Sequence, residues 1–258
     1  MAEQFYETAK VISKEIIAKD IYKLVLKADK IANSAKAGQF VLVYPHLSDK
    51  KLGRPISICD WDKDNGTITL CYRVTGENTG TREFSSYCEN DEVRILGPLG
   101  NGFPMADGNI LIIGGGLGIF PLLGLSKTLT GKKTIALGFR EEIFLMRDFN
   151  EYGDLIVATE TGITDSFKGN IVQALREEGN RYEVIYACGP TPMLKAVKEF
   201  AAEQSAICYL SLEERMACGI GACLACVCKS KEIDGHTNVK NKRVCKEGPV
   251  FEAHEIEF

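Results

Sequence analysis

Three cysteines within nine residues, Cys218, Cys223 and Cys226 in CGIGACLAC, constrain the fold of this chain more than any other feature. Their spacing is C-x4-C-x2-C, and a further cysteine, Cys245, follows downstream. With a distant fourth cysteine this is the arrangement of plant-type 2Fe-2S proteins. Four thiolates must converge on two irons, so a loop carrying three of them has little room for bulk. Gly219, Gly221, Ala222 and Ala225 meet that demand and leave backbone N–H groups free to bond sulfur. A four-cysteine zinc site and a disulfide pair are the competing readings. Structural zinc usually takes two C-x2-C knuckles, whereas here one compact loop is joined by a lone Cys245. Cys228 lies just past a completed x4-x2 pattern and reads as a bystander. Of the remaining cysteines, Cys59, Cys71, Cys88, Cys188 and Cys208, most read as small buried hydrophobes.

Upstream, the first hundred residues read as short strands parted by turn residues: DIYKLVLKAD, GQFVLVYP, RPISICDW, TITLCYRVT and DEVRILGP. This predicts an antiparallel β-barrel over residues 1–104. Between Thr67 and Thr75 alternation puts Ile68, Leu70, Tyr72 and Val74 on one face, and Thr69, Cys71 and Arg73 on the other. One face packs and the other is available to a ligand. After Pro104 the pattern changes, and NILII, IFPLLGLSKTL, TIALGF, EEIFLMRDF, DLIVATE, NIVQALREEG, YEVIYAC and PMLKAVKEFAAE alternate strand with helix. A parallel sheet with crossover helices is expected over 105–210. The boundary falls near Met105, where GPLGNGFPMADG gathers Gly and Pro. From about Ser211 regular periodicity fades, which leaves 211–258 as a small cysteine-bearing module.

Two turns in the α/β region have the character of phosphate sites. GGGLGIFPL, with Gly114, Gly115, Gly116 and Gly118, follows an apolar strand and precedes a helix, so its backbone can approach a pyrophosphate. ACGPTPM, with Cys188, Gly189 and Pro190, ends another strand, and strand ends of one parallel sheet face the same crevice. Alone, GGGLGIFPL is a weak signal, because glycine-rich strand-to-helix turns are often only tight turns, and ACGPTPM gives it weight. In the barrel region, RPISI begins with Arg54, whose guanidinium can clamp a diphosphate, and Gly80 and Thr81 open a short helix able to hold the same group. TIALGFREE ends its strand with Glu141 and Glu142, carboxylates that favour NAD over NADP, while Arg140 pulls the other way.

Composition closes off other classes. The net charge is −4, and no run of Lys and Arg offers nucleic acid a basic surface. The longest nearly apolar run, Ile110 to Leu125, is short for a membrane span and holds five glycines. MAEQFYETAK lacks the features of a signal peptide, so a cytoplasmic soluble protein is expected.

RPIS, a later YR, TGT, GPLGNGFP, GGGLGIFPL, ACGPTPM, ERMACGIGACLACVC and VCKEGPVF occur in this order. Together they closely resemble the electron-transfer subunits of class 1B dihydroorotate dehydrogenases, members of the ferredoxin reductase-like superfamily. The resemblance covers nearly the whole chain, and GPLGNGFP with the cysteine segment is its most specific part. It implies an FAD-binding barrel, an NAD-binding α/β domain and a C-terminal 2Fe-2S module. By motif, Arg54, Pro55, Ile56 and Ser57 contact FAD, with Arg54 at the diphosphate and Ser57 near the reactive flavin nitrogen. Cys71, Tyr72, Arg73, Gly80 and Thr81 complete that site. Gly114, Gly115, Gly116, Gly118, Cys188, Gly189 and Pro190 line the nicotinamide nucleotide site, and Cys218, Cys223, Cys226 and Cys245 ligate the cluster. The implied partner is a separate FMN-containing subunit that oxidises dihydroorotate in pyrimidine biosynthesis, in a heterotetramer with two copies of each. Electrons would leave it singly, cross the cluster, gather on FAD and pass as hydride to NAD+. Two features depart from the family pattern. Ile56 stands where many ferredoxin reductases have an aromatic residue, and the 18 residues between Cys226 and Cys245 are long, leaving KEIDGHTNVKNK without a role. Two further readings share many of these features: a subunit of an NADPH:ferredoxin oxidoreductase or sulfhydrogenase, and a non-catalytic zinc-binding adaptor or redox sensor.

Overall fold

The alternation read in Thr67–Arg73 builds the first unit. Ile68, Leu70 and Tyr72 point into a core with Leu24, Leu26, Val41, Ile58 and Ile95. The structure is a computed structural model that describes residues 3–46, 51–163, 165–233, 235 and 238–258. Six strands, β1 (Phe5–Ala18), β2 (Ile21–Lys27), β3 (Phe40–Tyr44), β4 (Arg54–Asp62), β5 (Thr67–Arg73) and β6 (Glu92–Leu99), close into a barrel in the order β1-β2-β5-β4-β3-β6. Every pairing is antiparallel. Helices α1 (Asp29–Ser34) and α2 (Gly80–Phe84) lie between strands, and the Thr79 hydroxyl caps α2 by accepting from the Arg82 N–H.

The second unit is a sheet of β7 (Ile110–Gly115), β8 (Lys133–Phe139), β9 (Asp154–Thr159), β10 (Phe167–Lys168), β11 (Val184–Cys188) and β12 (Ile207–Ser211), all parallel. Its strand order is β10-β9-β8-β7-β11-β12. Helices α3 (Phe120–Thr128), α4 (Met146–Asn150), α5 (Ile171–Glu178) and α6 (Thr191–Gln204) connect the strands. Ile110, Leu111, Ile112 and Ile113 are all buried, as a parallel strand covered on both faces requires. α5 begins with a capping box between Asn170 and Gln173 and ends on left-handed Gly179.

One expected helix is mostly absent. EEIFLMRDF is helical only from Met146, because the preceding residues are held elsewhere. The Glu142 carboxylate accepts the Lys19 backbone N–H of the barrel at 3.0 Å. Phe144 packs on Phe120 and Phe139, with ring centroids 5.6 and 5.1 Å away. Leu145 turns the chain with a φ of 59°.

The C-terminal residues form a small hairpin, β13 (Val227–Lys229) with β14 (Asn241–Arg243), and then return to the large sheet. There β15 (Val250–Glu252) pairs antiparallel with β12 and becomes its seventh strand. Part of KEIDGHTNVKNK, at positions 234, 236 and 237, lies outside the described residues.

The units are joined by specific contacts. Trp61 of β4 lies against Gly124 of α3, and Asp60 pairs with Lys127 beside it. Asn101, in GPLGNGFP, donates its backbone N–H to the Gly248 carbonyl at 2.7 Å and its side-chain amide to the Glu247 carbonyl at 2.8 Å. Among the described residues no helix is long and apolar enough to cross a membrane.

Candidate functional site

Barrel and sheet meet along a cleft of about 290 Å³. Strands β4 and β5 supply one wall; the C-terminal ends of β11 and β12 supply the other. Arg54, Pro55, Ile56, Ser57, Cys71, Tyr72, Arg73, Thr81 and Cys188 all line it, so motifs far apart in sequence come together here. Gly80 sits beneath Arg54, where a Cβ would fall 2.9 Å from its Nε. Arg54 Nη1 donates to the Leu52 carbonyl at 2.7 Å, which braces the guanidinium at the edge of the cleft.

Tyr72 provides a direct test of whether this cleft suits FAD. Its ring is fixed by stacking on Tyr22 at 5.8 Å and by an edge contact with Phe84 at 5.9 Å. Its hydroxyl is buried without a hydrogen-bond partner among the described residues. Burial, followed by the neighbouring Tyr22, pushes this phenol well above its ordinary value, so it stays protonated and able to donate. An orphaned donor in a largely apolar cleft, with an Arg at its edge, suits a ligand that is aromatic at one end and anionic further along.

Sequence reasoning missed the opposite wall, where Ser211, Leu212, Glu213, Glu214 and Met216 line the cleft. The signal was present: SLEERM follows a parallel strand, and ligands of open α/β sheets collect outside the carboxyl ends of such strands. Glu213 reaches solvent through the cleft mouth but has protein on most sides, and this desolvation raises its carboxyl above the ordinary value. Burial, and secondarily Glu213, raises the Cys188 thiol, so Cys188 is a neutral group in the cleft wall.

The two glycine-bearing turns lie side by side, because β7 and β11 are neighbours with Gly114 opposite Cys188. Gly118 packs so closely on the Cys188 carbonyl and Gly189 that a Cβ would collide with both. Gly115 lies similarly against Pro190 and Met193. Gly116 differs: with a φ of 54°, the place of its missing Cβ is open space. The top of this turn is therefore bare backbone, next to the cleft that Cys188 shares.

The three cysteines of the x4-x2 motif and Cys245 assemble as two pairs. Cys218 hydrogen-bonds the Cys223 thiol, and Cys245 meets the Cys226 thiol, with the Cys245 N–H donating to Cys226 Sγ at 3.4 Å. Cys226 and Cys245 are buried, Cys218 is half-buried and Cys223 is exposed. Partial burial works against ionisation of Cys218, but N–H groups of Ile220, Cys223 and Ala222 aim at its sulfur and pull it down to about 6. The Ala222 and Cys223 N–H groups lie 3.3 and 3.4 Å from it. Burial and the Cys226 thiol instead push Cys245 up to about 12 in the absence of metal. Among the described residues no three His, Cys, Asp or Glu side chains gather around a point suited to one metal ion. Two thiol pairs with N–H donors directed at their sulfurs suit two irons with two thiolates each. Cys228 packs against the cluster that holds Cys226 and Cys245, with its Sγ donating to the Lys242 carbonyl at 3.4 Å.

Comparison with known proteins places the chain among flavin and iron-sulfur oxidoreductases. A family model described as the oxidoreductase FAD-binding domain matches residues 8–103, and one described as the iron-sulfur cluster binding domain of dihydroorotate dehydrogenase B matches 213–257. A protein of Caldanaerobacter subterraneus subsp. tengcongensis, named dihydroorotate dehydrogenase B (NAD(+)), electron transfer subunit, is 41% identical over 97% of this chain and 98% of its own length. A protein of the same name from Listeria monocytogenes serotype 4b is 43% identical over 96% and 97%. Among solved structures, a chain of an NADH-dependent reduced ferredoxin-NADP oxidoreductase, studied for flavin-based electron bifurcation, superposes with a TM-score of 0.86. It is 26% identical and covers 97% of this chain and 90% of its own.

Proposed function

The chain belongs to the electron transfer subunits of dihydroorotate dehydrogenase B, and from that premise we propose that it carries electrons from a dihydroorotate-oxidising catalytic subunit to NAD+. The observation that carries this reading is the shortness of the link between its two sites. Ser211, Leu212, Glu213, Glu214 and Met216 line the cleft, and Cys218, the first thiol of the loop, follows two residues later. When bound, FAD in the cleft and a 2Fe-2S cluster on the cysteines supply the coupling between one-electron steps and two-electron exchange with NAD+.

The chain's own residues hold and orient these groups. Arg54 takes the diphosphate, the Tyr72 hydroxyl donates to a polar atom of FAD, and Ser57 and Cys188 face the flavin from opposite walls. Residues 105–210 bind the nicotinamide nucleotide over the bare turn at Gly116, with Gly114, Gly115, Gly118, Gly189 and Pro190 packing the strand ends beneath it. Cys218, Cys223, Cys226 and Cys245 ligate the cluster. Ile220 and Leu224, exposed apolar residues of the cysteine loop, form the rim against which the catalytic subunit docks. An FMN-containing partner, two copies of each subunit and a cytoplasmic setting that keeps thiols reduced complete the proposal.

The test has two stages. The purified chain should show bound flavin together with iron-sulfur absorbance; flavin-free protein holding one zinc would favour the adaptor reading. Mixed with a dihydroorotate-oxidising subunit, it should restore dihydroorotate-dependent reduction of NAD+. Failure there, with transfer to ferredoxin instead, would favour the ferredoxin oxidoreductase reading that the 26% identical structure keeps in view.

A further inference from the structure

The turn that carries Cys245 is organised by one residue, Arg243. Its carbonyl accepts the N–H groups of Lys246, Glu247 and Gly248 at 3.0, 2.9 and 3.3 Å, which wraps the chain around Cys245. Its own N–H and Nε both donate to Glu247 Oε2, at 2.7 and 3.0 Å, and Nη2 donates to Oε1. The remaining arm of the guanidinium crosses to the cysteine loop, where Nη1 donates to the Gly221 carbonyl at 3.0 Å. Gly221 lies between Cys218 and Cys223, and its N–H bonds the Cys245 sulfur. Both backbone groups of Gly221 are thus held from the Cys245 side, one by the thiol and one by Arg243. The Arg243 side chain is only 12% exposed, so neither its bonds nor its charge is dissolved in water.

We propose that Arg243 is a positioning residue of the iron-sulfur centre: it clamps the three-cysteine loop to the turn of the fourth cysteine and sets the potential at which the cluster accepts an electron. This rests on reading the four cysteines as cluster ligands. Only a planar fork fits the clamp, since one side chain must grip a carboxylate with two nitrogens and a carbonyl with a third in a different direction. The charge argument follows from the same pair. Arg243 and Glu247 together are neutral, but without the guanidinium a partly buried carboxylate remains near the cluster and opposes added negative charge. Cluster potentials respond to such local charge and to hydrogen bonds at the sulfurs, and the loop delivers those bonds.

The experiment uses the full chain with its cofactors and compares Arg243→Gln, Arg243→Lys and Glu247→Gln with the parent. Iron content, the paramagnetic signal of the reduced cluster and its midpoint potential are measured for each. Arg243→Gln should lower the ratio of reduced to oxidised cluster about tenfold at fixed solution potential, a shift of about 59 mV for one electron. Glu247→Gln should shift it the opposite way. Arg243→Lys, which keeps the charge without the fork, should restore part of the potential but still release iron to a chelator faster than the parent. Should the Gln variant hold no cluster, the Lys variant decides: parental potential together with parental iron retention overturns the proposal. So does a Gln variant with full iron and an unmoved potential. If the parent chain itself holds no cluster, it is the functional reading that fails; a parent with a cluster and unmoved variants sinks the clamp alone.

Discussion

The cleft and the cysteine module stand at the two ends of one short linker, yet they are built in opposite ways. The walls of the cleft are faces of two cores that pack without any ligand. Tyr72 is fixed by Tyr22 and Phe84, Cys71 is covered by residues of the second unit, and Gly118 is locked against Cys188. The cysteine module has one hairpin of three-residue strands, and among its few buried residues are the thiols Cys226 and Cys245. So short a hairpin has little stability of its own. On the proposed reading, a site of the first kind owes its shape to packing, whereas one of the second kind would be completed by its metal, whose binding energy becomes folding energy.

The largest effect should come from removing a thiol from the metal-dependent side. Cys245→Ser should abolish the cluster, loosen the β13–β14 hairpin and stop electron exchange with the catalytic subunit, while FAD stays bound and NADH still reduces a small dye. Iron analysis, flavin content and hydrogen exchange would read this. Loss of flavin in the same variant would break the contrast.

Next is the preformed side. Arg54→Ala removes charge-assisted bonds worth about 1.5–3 kcal/mol, so FAD affinity should fall by about 10- to 150-fold with iron content unchanged. Flavin titration checks it, and unaltered affinity would move the diphosphate elsewhere.

Smaller effects sharpen the picture around the cleft. The expected NAD preference at the end of β8 takes a different form in the structure, since Glu142 is engaged by the barrel and Arg140 pairs with Glu160 across the ends of β8 and β9 at 3.7 Å. Exposed pairs are worth up to about 1 kcal/mol, so Glu160→Gln should shift the NADPH to NADH preference about fivefold or less toward NADPH by freeing Arg140 for a 2′-phosphate. Steady-state kinetics with both nucleotides would show it.

Glu213 should make stability depend on pH. Desolvation raises its folded-state value, so the folded chain prefers the neutral form. Its contribution is full below the unfolded value of about 4.3 and is lost as pH rises through the folded value. Denaturant midpoints of the parent should therefore decline relative to Glu213→Gln across that window in the flavin-free protein. Parallel curves would contradict it.

The smallest effect belongs to Cys228→Ser. Burial pushes this thiol up to about 11, and its Sγ is engaged by the Lys242 carbonyl across the hairpin. Iron content should stay at the parental level; loss of iron would show that the fourth ligand had been misassigned.

What the sequence by itself determined is local. Cys218, Cys223 and Cys226 share one loop, RPIS opens one strand, and the glycines after NILII fill one turn. Spacing within a single element reports its geometry directly, because few conformations join its ends. The tertiary structure decided the rest. Glu213 and Met216 belong to a wall that exists only once the barrel docks on the sheet. β15 joins β12 after a detour through the cysteine module, and residues 140–145 leave the helical pattern because Glu142 and Phe144 find partners elsewhere. Arg243 reaches Gly221 across 22 residues, and Asn101 reaches Glu247 across 146. Periodicity carries no record of such contacts, because they depend on how separately formed elements pack and close the chain between them.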